Sequence, residues 1–174
     1  MRRLTQRMIR AALLDVRLYE EVEADQRATG QAVGVVVLSS LAAGIGIVAR
    51  GGVGGLVVGT LVALIGWYAW AYLIYFLGTR FFPEQQTQAT HGELLRTIGF
   101  SSAPGLLRLF GIIPGLTGIV FGLSLGWMLV TMVIAVRQAL DYTSTLRAVG
   151  VCVISLAIVL LLLLAFALPA GSLR

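Results

Sequence analysis

Lysine is absent from this chain of 174 residues, and all 13 of its basic residues are arginine. Cysteine occurs once, at Cys152, and histidine once, at His91. A disulfide framework within the chain is therefore excluded, and so is a tetrahedral zinc site of His and Cys ligands. Charge is scarce: 12% of residues are charged, against about 25% in an ordinary soluble domain, too few to coat a water-facing surface of this size. Disorder needs low hydrophobicity, whereas here 58% of residues are hydrophobic and the mean hydropathy is +0.93. Catalytic patterns are missing too. The glycine-rich stretch 51–59 lacks the Gly-Lys-Ser/Thr ending of a phosphate-binding loop, and no His-Glu-x-x-His occurs. Ser101 and Ser102 have no histidine within reach in sequence. The expectation is a protein that is not an enzyme, with no catalytic, metal-ligating or cofactor-binding residues and no cofactor.

What the chain does have is long apolar runs. A transmembrane helix takes roughly 20 apolar residues. Five stretches qualify by composition: 31–49, 54–79, 94–113, 116–136 and 148–168. The fold class is all-α, a polytopic membrane protein with five transmembrane helices preceded by short N-terminal amphipathic helices. Residues 1–30 form an acidic and amphipathic cytoplasmic segment, 31–168 the five-span domain, and 169–174 a short outer tail. The first span contains Gly44 and Gly46 and ends at Arg50-Gly51-Gly52. Pro114-Gly115 turns the chain before the fourth, and Pro169 closes the fifth. The third is the weak one. It carries Arg96, Ser101, Ser102, Pro104 and Arg108, and proline removes a backbone donor and clashes one turn back. A kinked or broken helix is expected there, crossing fully or re-entrant.

Before the spans, Leu4, Met8, Ala11 and Ala12 share one side of a helix with arginines opposite, the pattern of an interfacial helix. Asp15 would interrupt that stripe, so it is expected to stop the helix and N-cap a second one, Val16 to Ala24. Asp25 is placed to cap the helix that becomes the first span. No cleavable leader is expected, since Asp15 and Arg17 cut short the only early apolar run.

With five crossings, Arg2, Arg3, Arg7, Arg10, Arg17, Arg27, Arg80, Arg137 and Arg147 fall on one side, against Arg50 and Arg174 on the other. Loop arginines favour the cytoplasmic face. The N-terminus is thus expected in the cytoplasm and the C-terminus outside, in a membrane of prokaryotic type given the arginine-only composition. The arginines are scattered rather than gathered in one patch, so nucleic acid is not an expected partner. Glu20, Glu21, Glu23 and Asp25 then share a face with Arg80, Arg96, Arg137 and Arg147. Either the N-terminal helices fold back through acid–arginine pairs, or the acids form a solvated surface of weak exposed pairs.

Three further patterns remain open. Gly118, Gly122 and Gly126, four apart, would let two helix backbones approach closely, within the chain or between subunits. Tyr68, Tyr72, Tyr75 and Phe76 share a helical face, for packing or as a ligand platform. Arg108 either snorkels to headgroups or, with Arg96, Ser101, Ser102 and Pro104, lines a polar vestibule.

Three strings carry a family resemblance: Leu18-Tyr19-Glu20-Glu21-Val22-Glu23-Ala24-Asp25, Arg137-Gln138-Ala139-Leu140-Asp141-Tyr142, and Arg147-Ala148 at the start of the last span. Over roughly residues 10–168 the chain resembles the bacterial branch of the Yip family, the Ypt/Rab-interacting proteins. The resemblance implies five helices, a cytoplasmic N-terminus and no catalytic activity. Eukaryotic relatives bind prenylated Rab-type GTPases and each other, and act in vesicle traffic and membrane shaping. Their Asp-Leu-Tyr-Gly-Pro motif is replaced here by Asp15 to Glu20, so a GTPase partner is not carried over. The expected function is a non-enzymatic organiser of membrane or partner proteins, in contact with lipids and with a second copy or another membrane protein. Its expected interaction face is Asp15, Glu20, Glu21, Glu23, Asp25, Arg137, Asp141 and Tyr142. The alternative is a small transporter, channel or lipid-translocating protein using the broken third span.

Overall fold

The structure, a computed structural model, describes residues 2–45, 48–113 and 115–171. Gly46, Pro114 and Arg174 lie outside the described residues, as does the side chain of Arg50. Among the described residues seven α-helices and one 3₁₀ segment follow in order: α1 (Arg2–Ala12), α2 (Val16–Ala24), α3 (Ala28–Ile45), α4 (Val48–Arg80), α5 (His91–Ser101), the 3₁₀ segment Ala103–Ile112, α6 (Thr117–Ala139) and α7 (Thr145–Gly171). No strand occurs among the described residues.

The helix boundaries follow from local chemistry. Leu14 takes a left-handed conformation (φ 63°). The N–H of Leu14 bonds the Ala11 carbonyl and the N–H of Asp15 bonds that of Arg10, which closes α1 in a Schellman turn. Asp15 then caps α2 by accepting the Arg17 N–H at 3.0 Å. Asp25 acts twice. Its own N–H ends α2 on the Glu21 carbonyl, and its carboxylate accepts the Arg27 N–H at the start of α3. Thr90 and Glu93 form a reciprocal capping box that starts α5. His91 is therefore in the first turn of a helix. Ser102 and Pro104 break the third apolar stretch into α5 and the 3₁₀ segment.

Among the described residues three helices are long and apolar enough to cross a membrane: Gly52–Arg80, Thr117–Ala139 and Thr145–Leu162. The described apolar part of α3, Ala28–Gly44, is shorter. The two halves of the third stretch form no continuous helix. The expected five spans thus stand at three candidate crossings. Gly52 takes a positive φ of 58° inside α4, so the spanning part of that helix starts there, and α7 continues to Gly171, beyond Pro169.

Burial divides the molecule in two. α4 up to about residue 70 and much of α6 and α7 expose Val, Leu and Ile side chains. The other end is a packed head of α1, α2, α5 and the adjoining ends of α3, α4, α6 and α7. In α5 every residue from Leu94 to Ser101 is buried. One face joins a core of Ile74, Leu77, Val136, Leu140 and Val151; another joins Leu18, Tyr19, Val22, Ala32 and Val35. A short helix buried all round is the plank on which both cores are laid.

The closest backbone approaches use glycines other than those expected. A Cβ at Gly118, Gly122 or Gly126 would meet nothing within 4 Å, so this stripe packs against no described part of the chain. A Cβ at Gly99 would lie 2.7 Å from Ala32 Cβ and 3.2 Å from its Cα. That contact has no flexible side chain to yield. Gly99→Val is expected to destabilise the protein by about 1–3 kcal/mol through overpacking, whereas Gly122→Val should change stability by no more than about 0.5 kcal/mol. Thermal melting of both variants in detergent checks the contrast.

Candidate functional site

The head holds its polar groups in three layers. The innermost is Arg96. Its residue is 7% exposed, and its guanidinium donates from Nε to the carbonyls of Val22 (2.9 Å) and Glu23 (3.2 Å). Nη2 also donates to the Glu23 carbonyl. These are last-turn carbonyls of α2, which a helix cannot satisfy itself. The arginine of α5 thus ties off the C-terminal end of α2, where a positive charge is also favoured by the helix dipole.

A second layer joins α1 to α2 and α3. Arg7 donates to Glu21 (2.7 and 3.0 Å), Asp25 (3.0 Å) and Gln31 (3.0 Å). Arg10 donates to Asp15 and Glu21, both at 2.7 Å. Arg10 and then Arg7 hold the Glu21 carboxyl below its ordinary range, Arg10 does so for Asp15, and Arg7 for Asp25. The expected fold-back of the N-terminal helices is present, but its ion pairs are local. They do not reach Arg80, Arg137 or Arg147. Arg137 donates instead to the Tyr142 carbonyl at 3.2 Å, and Arg147 pairs with Glu84 at 3.6 Å.

The third layer clamps the two loops together. The Tyr142 hydroxyl donates to the carbonyls of Gly78 (3.0 Å) and Phe82 (2.8 Å). Glu84 accepts the Thr143 N–H (2.9 Å) and hydroxyl (2.7 Å), and these bonds hold its carboxyl at about 2. Asp141, left-handed at φ 53°, closes α6 in a Schellman turn: its N–H bonds the Gln138 carbonyl and that of Tyr142 bonds Arg137. The string from Arg137 to Tyr142 is thus first of all a helix end and a loop clamp.

Between these layers lies a crevice of about 430 Å³ lined by Glu20, Glu23, Ala24, Glu93, Gln138 and Asp141. It shares Gln138 and Asp141 with a depression of about 620 Å³ that includes Gln86, Arg137, Tyr142 and Thr143. Gln138 donates to Glu20 at 3.0 Å. Burial, with the charges of Asp141 and Glu93 adding to it, raises the Glu23 carboxyl from 4.5 to about 7. Of the expected face, Glu20, Glu23 and Asp141 meet here, Arg137 and Tyr142 border them, and Asp15, Glu21 and Asp25 are engaged by Arg7 and Arg10. Glu93 and Gln138 belong to the crevice and were not anticipated; the Thr90-x-x-Glu93 spacing was the signal for the first. Among the described residues no group of three His, Cys, Asp or Glu side chains is arranged to hold a metal ion.

The residues expected in a vestibule occupy separate settings. Arg96 is closed against α2. The Ser101 hydroxyl donates to the Ile98 carbonyl at 2.8 Å, and the Ser101 carbonyl accepts from Thr131 at 2.8 Å. Ser102 ends α5, and Pro104 is buried at the start of the 3₁₀ segment. Arg108 lies over the Phe121 ring, 5.5 Å from its centre. Of the aromatic face, Tyr68, Tyr72 and Tyr75 surround His91 at 4.8, 5.5 and 6.2 Å between ring centres, and Phe76 meets Phe81.

Two outcomes follow from the site. Arg96→Met should strand the α2 carbonyls and cost about 2–3 kcal/mol, the range for hydrogen bonds to a buried charge. Arg147→Met, which loses one exposed pair, should cost under about 1 kcal/mol. Faster amide exchange in α2 would distinguish the first variant. For Glu23, the folded state favours the protonated form. Its contribution to stability is complete below pH 4.5 and is lost as pH rises to about 7. Glu23→Gln should therefore melt higher than the parent at pH 8 and equally at pH 4.5.

Comparison with curated proteins and with solved structures gives no match. Residues 17–167 match the Yip1 domain. That stretch runs from the first turn of α2 into the exposed part of α7, and so takes in the Arg96 tie, the loop clamp and the acidic crevice. The chain belongs to the Yip1 domain family of membrane proteins.

Proposed function

We propose that this protein is a non-enzymatic membrane scaffold whose polar head docks a basic segment of a partner membrane protein. The observation that carries this reading is the allocation of carboxylates. Asp15, Glu21, Asp25 and Glu84 are paired with arginines of the head. The other four, Glu20, Glu23, Glu93 and Asp141, gather at one crevice, and among the described residues none is in an ion pair. Three like charges around a half-buried Glu23 are a standing electrostatic cost, which a cationic side chain entering the crevice relieves. The crevice is walled by the C-terminal half of α2, the first turn of α5 and the end of α6, elements packed into the head's two cores, so its geometry is available before a partner arrives.

In this reading the head faces the cytoplasm. Arg2, Arg3, Arg7, Arg10, Arg17, Arg27, Arg80, Arg137 and Arg147 belong to the head, its loops and adjoining helix ends, as a cytoplasmic location favours. α3 and the broken third stretch complete five passages, which puts the C-terminus outside.

A photocrosslinking residue at Gln138 in native membranes should give a discrete membrane-protein adduct. Glu20→Arg with Asp141→Arg should reduce it by about tenfold or more, the loss expected when close charge pairs become repulsive. An adduct unaffected by the double reversal would overturn the crevice as the docking point. Liposome flux or lipid scrambling abolished by Arg108→Leu would replace the scaffold with the transport reading.

A further inference from the structure

The far end of the molecule carries a cation that has no anionic partner among the described residues. Arg108 sits in the 3₁₀ segment, against the face of α6 formed by Phe121, Ser124, Met128 and Thr131. The seam runs antiparallel. Thr131 bonds the Ser101 carbonyl, a Cβ on Gly105 would lie 3.2 Å from Met128 Sδ, and one on Gly111 would lie 3.1 Å from the Phe121 ring. Arg108 is over that same ring. Its Nε is buried with no hydrogen-bond partner, and the hydroxyl of the fully buried Ser124, one turn along α6 from Phe121, is also unpaired. All eight acidic side chains, from Asp15 to Asp141, belong to the head, its loops or the helix ends beside it. None lies in the 3₁₀ segment or the first half of α6.

Depth identifies the missing partner. Phe121 is four residues into α6, about 6 Å along its axis, so the guanidinium lies near the level where a spanning helix leaves the hydrocarbon. Around it Leu107, Leu109, Phe110, Ile112, Ile119 and Leu123 are exposed, which makes this surface lipid-facing. A guanidinium in that setting is costly unless it meets an anion, and its planar fork matches phosphate oxygens. The ring of Phe121 lies over one face of the fork.

We propose that Arg108 is a phospholipid-binding residue, holding the phosphate of one glycerophospholipid in the leaflet far from the head while the acyl chains lie on the apolar surfaces of the 3₁₀ segment and α6. This site requires only that the chain is embedded in a bilayer and is independent of the docking crevice.

The test is a lipid titration of the purified full chain in detergent, followed by melting temperature and by native mass spectrometry. The probes are palmitoyl-oleoyl phosphatidylglycerol and palmitoyl-oleoyl glycerol, which has the same chains and no phosphate. The parent protein should be stabilised by the first and not by the second. Arg108→Leu should be at least as stable as the parent without lipid, since it removes an unpaired charge, and should bind the phospholipid about tenfold or more weakly, as loss of a charge-assisted hydrogen bond implies. Arg108→Lys should retain part of the response. Arg108→Gln gives the same comparison if the leucine variant does not assemble. Equal phospholipid responses in parent and variants would overturn the site, as would an equal response to the phosphate-free lipid. Inorganic phosphate stabilising the parent as well as the phospholipid does would overturn the lipid as its occupant.

Discussion

The head depends on one guanidinium turned toward backbone rather than toward acid. Arg96 is carried by a helix with no exposed face over its last two turns, and it ends another helix by binding the carbonyls of Val22 and Glu23. A buried charge is tolerable only when it is closely partnered. Here the partners are dipoles, and they belong to a segment 73 or 74 residues away in sequence. The contact therefore fixes α2 on α5 in both position and direction. α1 follows through Arg7 and Arg10, and α6 follows because both cores include its last turn.

This arrangement separates two uses of charge. Arginines close to acids in sequence serve the architecture of α1 and α2, where part-buried hydrogen bonds give the pairs more weight than open surface pairs have. The acids that Arg7, Arg10 and Arg147 do not reach end up around the crevice. The division explains how a chain poor in charge can still present a concentrated acidic patch: most of its cations are either committed inward or spread over α1 and the loop ends.

Much of the local structure was legible. Asp15 and Asp25 announced helix starts through ordinary capping chemistry, and Pro104 marked the break in the third apolar stretch. The apolar runs located the long helices to within a few residues. The tertiary partners were less legible, for definite reasons. Arg96 was expected in a vestibule because its acceptors are main-chain oxygens, which no residue pattern displays. The acids from Glu20 to Asp25 were set either against distant arginines or in solvent although Arg7 and Arg10 lay one helix away, because reading by membrane side ignores the turn at Leu14. Glycine spacing drew attention to Gly118, Gly122 and Gly126, whereas close approach falls at Gly99, Gly105 and Gly78, each set by what crosses it. The crevice needed Glu93 and Gln138, which come together with Glu20 only when α2 lies across α5 and α6.

Asp25 leaves no slack between α2 and α3, since one residue ends the first and starts the second. A change of tilt in the described apolar part of α3, Ala28–Gly44, by which a helix adapts to bilayer thickness, therefore works as on a lever, passing into α2 and from there to the walls of the acidic cleft.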